Sequence, residues 1–428
     1  MAKILMLLNQ FSAKGEPADP PHQLADAFVS QGHIVKVVVI PWQRQESEVS
    51  IYDEGDALKV MRVPALRITR FGNAIGLIIR WVFSSLVARR YLKSFLRDDS
   101  FDLVYTTSPL VTMAFVLRWV FQRYTHARFY LYIVDFFPFH QRAIGLIPSG
   151  WMFRFAKKIE NALIQKFDVV ACMSPRNVAY LQNHYTLRAG QQVTILPLST
   201  AIAAPLSVDK DTVRRRLGLP LNRVIAIFGG QITEGRGIEQ ILETARLAKH
   251  NDAGLHFVLA GNGRLVHMVQ AYISTEGGNL THLQSLDRDS YLELATACDI
   301  GLVVTVPIAD IPTFPSKTLD YLQASLPVVA AVEDDTDFRD FVETHGFGRV
   351  VRAGDSTELL AVLETLARDA EMRYAMAEAG KRTLHDIFDV RQAVMRILAE
   401  YQSTADGESR SNNRNDPYLQ MRDIGSDQ

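Results

Sequence analysis

A chain of 428 residues, 48% of them hydrophobic, can bury the cores of two domains, which excludes a disordered protein. Its 46 basic and 47 acidic side chains nearly cancel, which argues against a dedicated nucleic-acid binder. The two cysteines, Cys172 and Cys298, lie in apolar runs without metal-ligand spacing and read as core residues in a reducing compartment.

The chain opens with a short apolar run and no small-residue cleavage site, so residues 4–8 read as a first β-strand and not as a signal peptide. Further strands are expected at 34–40, 103–105, 128–134, 169–173 and 193–196, with helices between them, among them 21–31 and 151–167. The polar, proline-containing stretch 198–220 reads as an interdomain linker. A second series of strands follows at 224–228, 255–260, 280–283, 300–304 and 328–332, then helices at 357–369, 371–387 and 391–401. This alternation predicts α/β architecture, with two doubly wound parallel-sheet domains at 1–200 and 205–387. Residues 388–402 form a last helix, and the aperiodic polar segment 403–428 is expected to be disordered.

Residues 57–97 hold nine cations (Lys59, Arg62, Arg67, Arg70, Arg80, Arg89, Arg90, Lys93 and Arg97) and no acid, interleaved with Trp81, Phe83, Tyr91 and Phe95. Arg80 interrupts the apolar run, which argues against a transmembrane helix. The stretch suits an anionic membrane surface, with a helix packed on its domain and solvated arginines as the alternative.

Three segments carry phosphate-type chemistry. Gly229 and Gly230 open a loop after a strand, where glycines let backbone amides approach a pyrophosphate and Arg236 can neutralise it. Gly261-Asn262-Gly263 forms a turn after the next strand, which is a site component or a plain β-turn. In Pro315-Ser316-Lys317-Thr318-Leu319-Asp320, Ser316 is a candidate N-cap and Lys317 adds charge at the start of a helix. Asp320 shares the helix face of Ser316 and Lys317, within reach of ribose hydroxyls. Earlier in the chain, Asp135 ends a strand where α/β sites gather, and it can bind or deprotonate an acceptor hydroxyl or cap its loop. His140 lies five residues on and ranks below it. Asp299 reads as a turn or capping residue and not a catalyst.

Pro315-Ser-Lys-x-x-Asp-Tyr-Leu-x-Ala-x-x-Pro-Val-Val329 resembles the donor signature of family 4 glycosyltransferases, the retaining sugar transferases of GT-B fold. Thr107-Ser108-Pro109 and Asp135-Phe-Phe-Pro138 are similar to the N-acetylfucosaminyl transferase type, which builds O-antigen and capsule on lipid carriers. Five departures stand out. Asp320 replaces the usual glutamate, and Pro312 stands where many members have a first glutamate. Gln231 replaces an arginine, and a single Gly15 replaces Gly-Gly after the first strand. Ser325 takes the place of a turn glycine, which suits a turn without positive φ.

The resemblance implies two domains facing across a substrate cleft, with the last helix crossing back onto the first. It implies donor contacts from Gly229, Gly230, Arg236, Gly261, Asn262, Ser316, Lys317, Thr318 and Asp320, with 308–314 lining the sugar pocket. Gly15, Ser108 and His140 fall on the acceptor side, and Asp135, Arg236 and Lys317 are the catalytic candidates. No metal or cofactor is expected, since no Asp-x-Asp motif suggests a divalent ion in the pyrophosphate-neutralising role and the nucleotide diphosphate sugar is a co-substrate. The implied partners are a lipid-pyrophosphate-linked saccharide and the inner face of the cytoplasmic membrane, with the enzyme cytoplasmic and peripherally attached. A sugar-nucleotide epimerase and a non-catalytic nucleotide-sugar-binding subunit are the alternatives.

Overall fold

In the computed structural model the described residues are 1–41, 48–64, 74–143, 145–148, 150–204, 208–306, 311–334 and 336–402, with the side chains of 74–82 left aside. The expectations for Arg67, Arg70, Arg80, Trp81, part of 308–314 and the tail at 403–428 lie outside them. The chain divides into two units, Met1–Ala201 joined by the chain from Val390 onward, and Ile202–Asp389.

Unit 1 begins β1 (Lys3–Leu8), α1 (Pro20–Ser30), β2 (Ile34–Val39), β3 (Ser50–Glu54), β4 (Leu58–Arg62) and α2 (Ala74–Phe95). It continues β5 (Leu103–Thr107), the 3-10 turn η1 (Val111–Met113), α3 (Ala114–Arg123), β6 (Arg128–Ile133), α4 (Phe139–Ala143), α5 (Trp151–Ile164), β7 (Val169–Cys172), α6 (Pro175–His184) and β8 (Gln192–Ile195). The eight strands lie in the order β3-β4-β2-β1-β5-β6-β7-β8, parallel except for β3. Runs of branched apolar residues bury both faces of the central strands, as a covered parallel sheet requires. The order reverses between β1 and β5, so the loops after those strands meet at the carboxyl edge.

The β3–β4 hairpin corrects the reading of 57–97 as one amphipathic stretch. Ser-Ile-Tyr-Asp-Glu has too few apolar residues to announce a strand, yet as an edge strand it needs only one buried face. Lys59 on β4 pairs with Asp53 at 3.3 Å. Arg62 is buried and donates to the carbonyls of Phe11 (2.7 Å) and Ser12 (3.4 Å). These two cations therefore belong to the fold and not to a membrane face. Within α2, Ser84, Ser85, Ala88 and Leu92 are buried, and the Ser85 hydroxyl accepts the N–H groups of Phe115 and Val116 at the start of α3. Its outer face presents Phe83, Leu86, Arg90, Tyr91 and Lys93.

Unit 2 runs α7 (Lys210–Arg216), β9 (Val224–Gly229), α8 (Ile238–His250), β10 (Leu255–Ala260), α9 (Val266–Thr275), β11 (Leu280–Leu283) and α10 (Arg288–Ala297). It continues β12 (Ile300–Val304), α11 (Lys317–Gln323), β13 (Val328–Val332), α12 (Phe338–Thr344), β14 (Gly348–Arg352), α13 (Ser356–Arg368) and α14 (Ala370–Ile387). Its strands are all parallel in the order β11-β10-β9-β12-β13-β14, so the switch point lies between β9 and β12. The expected linker is in part helix. Arg214 on α7 is buried, bonds the Ala297 carbonyl at 2.8 Å and pairs with Asp299 at 2.7 Å. Asp299 also accepts the N–H of Ile225 at 2.8 Å, so it fastens α7 to the sheet.

The last described helix, α15 (Val390–Gln402), returns to unit 1 and packs on α1. Val390 N–H bonds the Thr200 carbonyl, and the Thr194 hydroxyl donates to Glu400, whose carboxyl burial pushes up to about 7.

Ser325 has φ +58°, so the turn after α11 takes the left-handed conformation, contrary to the turn without positive φ expected from its serine. L-residues pay there for the approach of Cβ to the following carbonyl. Ser325→Gly is expected to stabilise the fold by about 0.5–1 kcal/mol, read as a raised urea midpoint at unchanged slope.

Candidate functional site

The site in unit 2 is assembled where β9, β10 and α11 end or begin at the carboxyl edge. Gly229 closes β9, and the chain crosses the edge to enter α8 at Ile238. Gly261, at φ +152°, lies so close that a Cβ there would stand 1.8 Å from the Gly230 carbonyl oxygen. Only glycine permits that approach of the two loops.

Tyr321 of α11 secures the other side. Its hydroxyl donates to the Leu302 carbonyl of β12 (2.9 Å) and accepts the Gly229 N–H of β9 (3.1 Å). Tyr291 of α10 packs over Gly229, where a Cβ would fall 2.0 Å from its phenolic oxygen.

These pieces surround a pocket of about 430 Å³. Eight of the nine expected donor residues line it: Gly229, Gly230, Arg236, Gly261, Asn262, Ser316, Lys317 and Asp320. Thr318 does not. It is fully buried on the inward side of α11, because neighbouring helix positions point in different directions. Ser316 is no side-chain N-cap either: it has helical dihedrals and no capping hydrogen bond, and it faces the pocket. Gln231, Ala260, Ser285, Leu286 and Tyr291 complete the lining.

The half-buried Lys317 ammonium sits 3.6 Å from the centre of the Phe228 ring. Desolvation, then the charge of Arg236, lowers its pKa to about 7, with Asp320 opposing the shift. Asp320 pairs with Arg288 at 2.7 Å, and burial raises its pKa despite that partner. The sequence reading missed Arg288, because the contact joins two helices 32 residues apart and leaves no local pattern.

The unit 1 candidates are more scattered. Asp135 is exposed just beyond β6, and its carboxylate makes no hydrogen bond or ion pair among the described residues. Ser108 is committed to structure. Its hydroxyl donates to the Asp135 carbonyl (2.8 Å) and receives the Val134 (3.2 Å) and Asp135 (3.3 Å) N–H groups. The following turn is held by buried Glu160, which accepts the N–H groups of Leu110 and Val111 at 2.8–3.0 Å. His140 lies on α4, and Gly15 occupies an exposed turn at φ +85°.

A relay that the sequence did not disclose braces the loop after β1. Ser12 Oγ lies 2.6 Å from His22 Nδ1, and His22 Nε2 lies 2.7 Å from Glu54. Phe11 stacks on the imidazole at 4.4 Å, and Asp26 approaches Nε2 at 3.9 Å. His22, Asp26 and Glu54 form the one group of metal-type ligands among the described residues.

Two doubly wound parallel units with a phosphate-type pocket at a switch point define the GT-B class of glycosyltransferase. The glycosyl transferase 4-like domain family matches residues 21–198, and the glycosyl transferases group 1 family matches residues 209–383. Between them these profiles span most of both units, and the chain is a GT-B glycosyltransferase. WcaI of Escherichia coli K12, a glycosyl transferase assigned to colanic acid biosynthesis, is 25% identical over 346 residues, covering 75% of this chain and 81% of that protein. The lipopolysaccharide glycosyltransferase WaaG superposes with a TM-score of 0.63 at 16% identity, over 92% of this chain and 99% of that one. Anabaena HepE in complex with UDP gives a TM-score of 0.63 at 16% identity, over 94% and 100%. The relatives extend to bacterial polysaccharide biosynthesis generally and do not single out the N-acetylfucosaminyl type.

Two outcomes follow from the pocket. Tyr321→Phe leaves the Gly229 N–H and the Leu302 carbonyl without their partner and should cost about 1–3 kcal/mol in a urea melt. The second concerns pH. A bound pyrophosphate raises the Lys317 pKa above its free value of about 7, so binding takes up a proton at higher pH. UDP affinity should be flat below pH 6 and fall above pH 7, by up to about tenfold per unit. Calorimetry in two buffers of different ionisation heat should report that proton, and Lys317→Met should abolish it.

Proposed function

We propose that the enzyme transfers a sugar from a nucleotide diphosphate to a lipid-pyrophosphate-linked saccharide in bacterial surface polysaccharide synthesis, retaining anomeric configuration and using no metal. The observation that carries this reading is the convergence of Lys317 and Arg236 on the glycine-lined pocket at the β9–β12 switch point. Departure of the nucleotide leaves negative charge on the pyrophosphate. The partly desolvated Lys317 and the exposed Arg236 at the pocket stabilise that charge as it develops, the role a divalent ion would otherwise fill.

Asp320 is assigned to the ribose, with Arg288 holding its carboxylate in place. In unit 1, Asp135 is assigned to the acceptor. Retention is drawn as same-face attack in which a donor phosphate oxygen helps remove the acceptor proton. The acceptor's lipid brings the enzyme to the inner face of the cytoplasmic membrane as a peripheral protein, with Phe83, Leu86, Arg90, Tyr91 and Lys93 of α2 as the contact. No helix among the described residues is long and apolar enough to cross a membrane. The colanic acid and lipopolysaccharide assignments of WcaI and WaaG support the pathway class, and the UDP complex of HepE supports the donor class.

The test pairs a panel of UDP- and GDP-sugars with lipid-linked acceptors. The product should keep the donor's anomeric configuration by NMR, form in EDTA, and be lost in a folded Lys317→Ala protein whose UDP affinity falls several-fold or more. An inverted linkage, metal-restored activity after EDTA, or sugar interconversion without any acceptor overturns the reading.

A further inference from the structure

Helix α5 carries an outward face whose chemistry the glycosyl-transfer reading does not use. Its inward side, Met152, Phe153, Ala156, Glu160 and Ile164, is buried in unit 1. The opposite side presents Trp151, Arg154, Phe155 and Lys158 at helical spacing. Trp151 is 65% exposed and Phe155 51%, and Leu146 in the preceding loop is 54% exposed. A single exposed apolar side chain is ordinary, but three large ones gathered at one helix start are not.

The charge around them is one-sided. Residues 140–167 include Arg142, Arg154, Lys157, Lys158 and Lys166, and Glu160 as the one acid. Glu160 is 1% exposed and bonded to the backbone of Leu110 and Val111, so it offers nothing to that surface. Arg154, Lys157 and Lys158 form no ion pair among the described residues, though Lys157 also lies 5.2 Å over the Phe139 ring. They line a pocket of about 380 Å³ together with Asn161, Gln165 and His184. The amides of Asn161 and Gln165 already donate to the Thr186 carbonyl, which leaves the three cations as the pocket's main free donors.

We propose that α5 is a second membrane contact of unit 1, in which Trp151, Phe155 and Leu146 enter the headgroup boundary of an anionic bilayer while Arg154, Lys157 and Lys158 hold a lipid phosphate in the adjoining pocket. A site for free phosphate has no use for exposed aromatics at its rim, whereas interfacial binding combines such groups with a cationic pocket. Both α2 and α5 pack against η1, so the two basic, apolar faces share one structural support. The inference shares with the proposed function only the placement of unit 1 at a membrane, and it is independent of the nucleotide pocket.

The experiment uses the full chain in flotation and fluorescence titration with vesicles of phosphatidylglycerol and phosphatidylcholine. Trp151→Ser with Phe155→Ser, and separately Arg154→Glu with Lys158→Glu, should each weaken vesicle binding at least tenfold. UDP affinity and melting temperature should stay unchanged. Arg154→Lys with Lys158→Arg should retain vesicle binding, and Trp151→Phe should remove part of the vesicle-induced blue shift. Wild-type affinity in the α5 variants, with loss only in Arg90→Glu/Lys93→Glu of α2, overturns this inference and leaves the α2 contact standing. Saturable binding of glycerol 3-phosphate without vesicles, with undiminished vesicle binding by the aromatic variants, reassigns the pocket to a soluble anion and overturns it too. Failure of the wild-type protein to bind anionic vesicles removes both contacts and leaves the glycosyl-transfer reading untouched.

Discussion

Strands β9 and β12 share a ladder over only two residue pairs, Ala226 with Ile300 and Ile227 with Gly301, before a phenol takes over. The Tyr321 hydroxyl accepts from Gly229 on one strand and donates to Leu302 on the other, so a helix side chain continues the pairing that the backbones abandon. Neither glycine beside it is free to change. A Cβ at Gly301 would lie 2.4 Å from the Tyr321 ring, and one at Gly229 would meet Tyr291. The same helix turn carries Lys317 and Asp320. The position of the charged groups is therefore fixed by a hydrogen bond that spans the switch point, and a shift of α11 would break two buried bonds together.

Much of the second unit was legible because its chemistry is local. Strands at 224–229, 255–260, 300–304 and 328–332 announce themselves as apolar, β-branched runs, and the glycines and Lys317 lie within short segments. What escaped depends on distant partners or on dihedrals. Arg288 meets Asp320 only through the packing of two helices. Arg62 looked like a surface cation until β4 carried it beneath the loop after β1, where two carbonyls satisfy it. Thr318 was grouped with its neighbours by motif, although one helical step turns it into the core. Ser325 adopts a conformation that its side chain disfavours, which composition could not reveal.

Unit 1 spends its polar groups on holding loops in place. Asn9 donates to the Pro109 carbonyl and accepts from Thr112, joining the loops after β1 and β5 across that unit's own switch point. Ser108 ties the loop after β5 to the one after β6, and Glu160 holds the next turn. On the other flank, Arg62 and the Ser12–His22–Glu54 relay fix the loop after β1. Against this background the uncommitted carboxylate of Asp135 is distinctive, since its backbone is pinned while its side chain stays available.

The return of α15 to α1 makes unit 1 discontinuous along the chain. A ribosome delivers the eight strands of that unit first, then the whole of unit 2, and only then the helix that closes over α1. During that interval the partners of Val390, Ala393, Val394 and Ile397 have no cover, and Thr194 lacks its bond to Glu400. The second unit, continuous from Ile202 to Asp389, meets no such delay. Order of synthesis thus runs opposite to order of completion: the part made first is the last to be sealed, and a nascent chain stalled before residue 390 presents chaperones with an open N-terminal half beside a unit already able to fold.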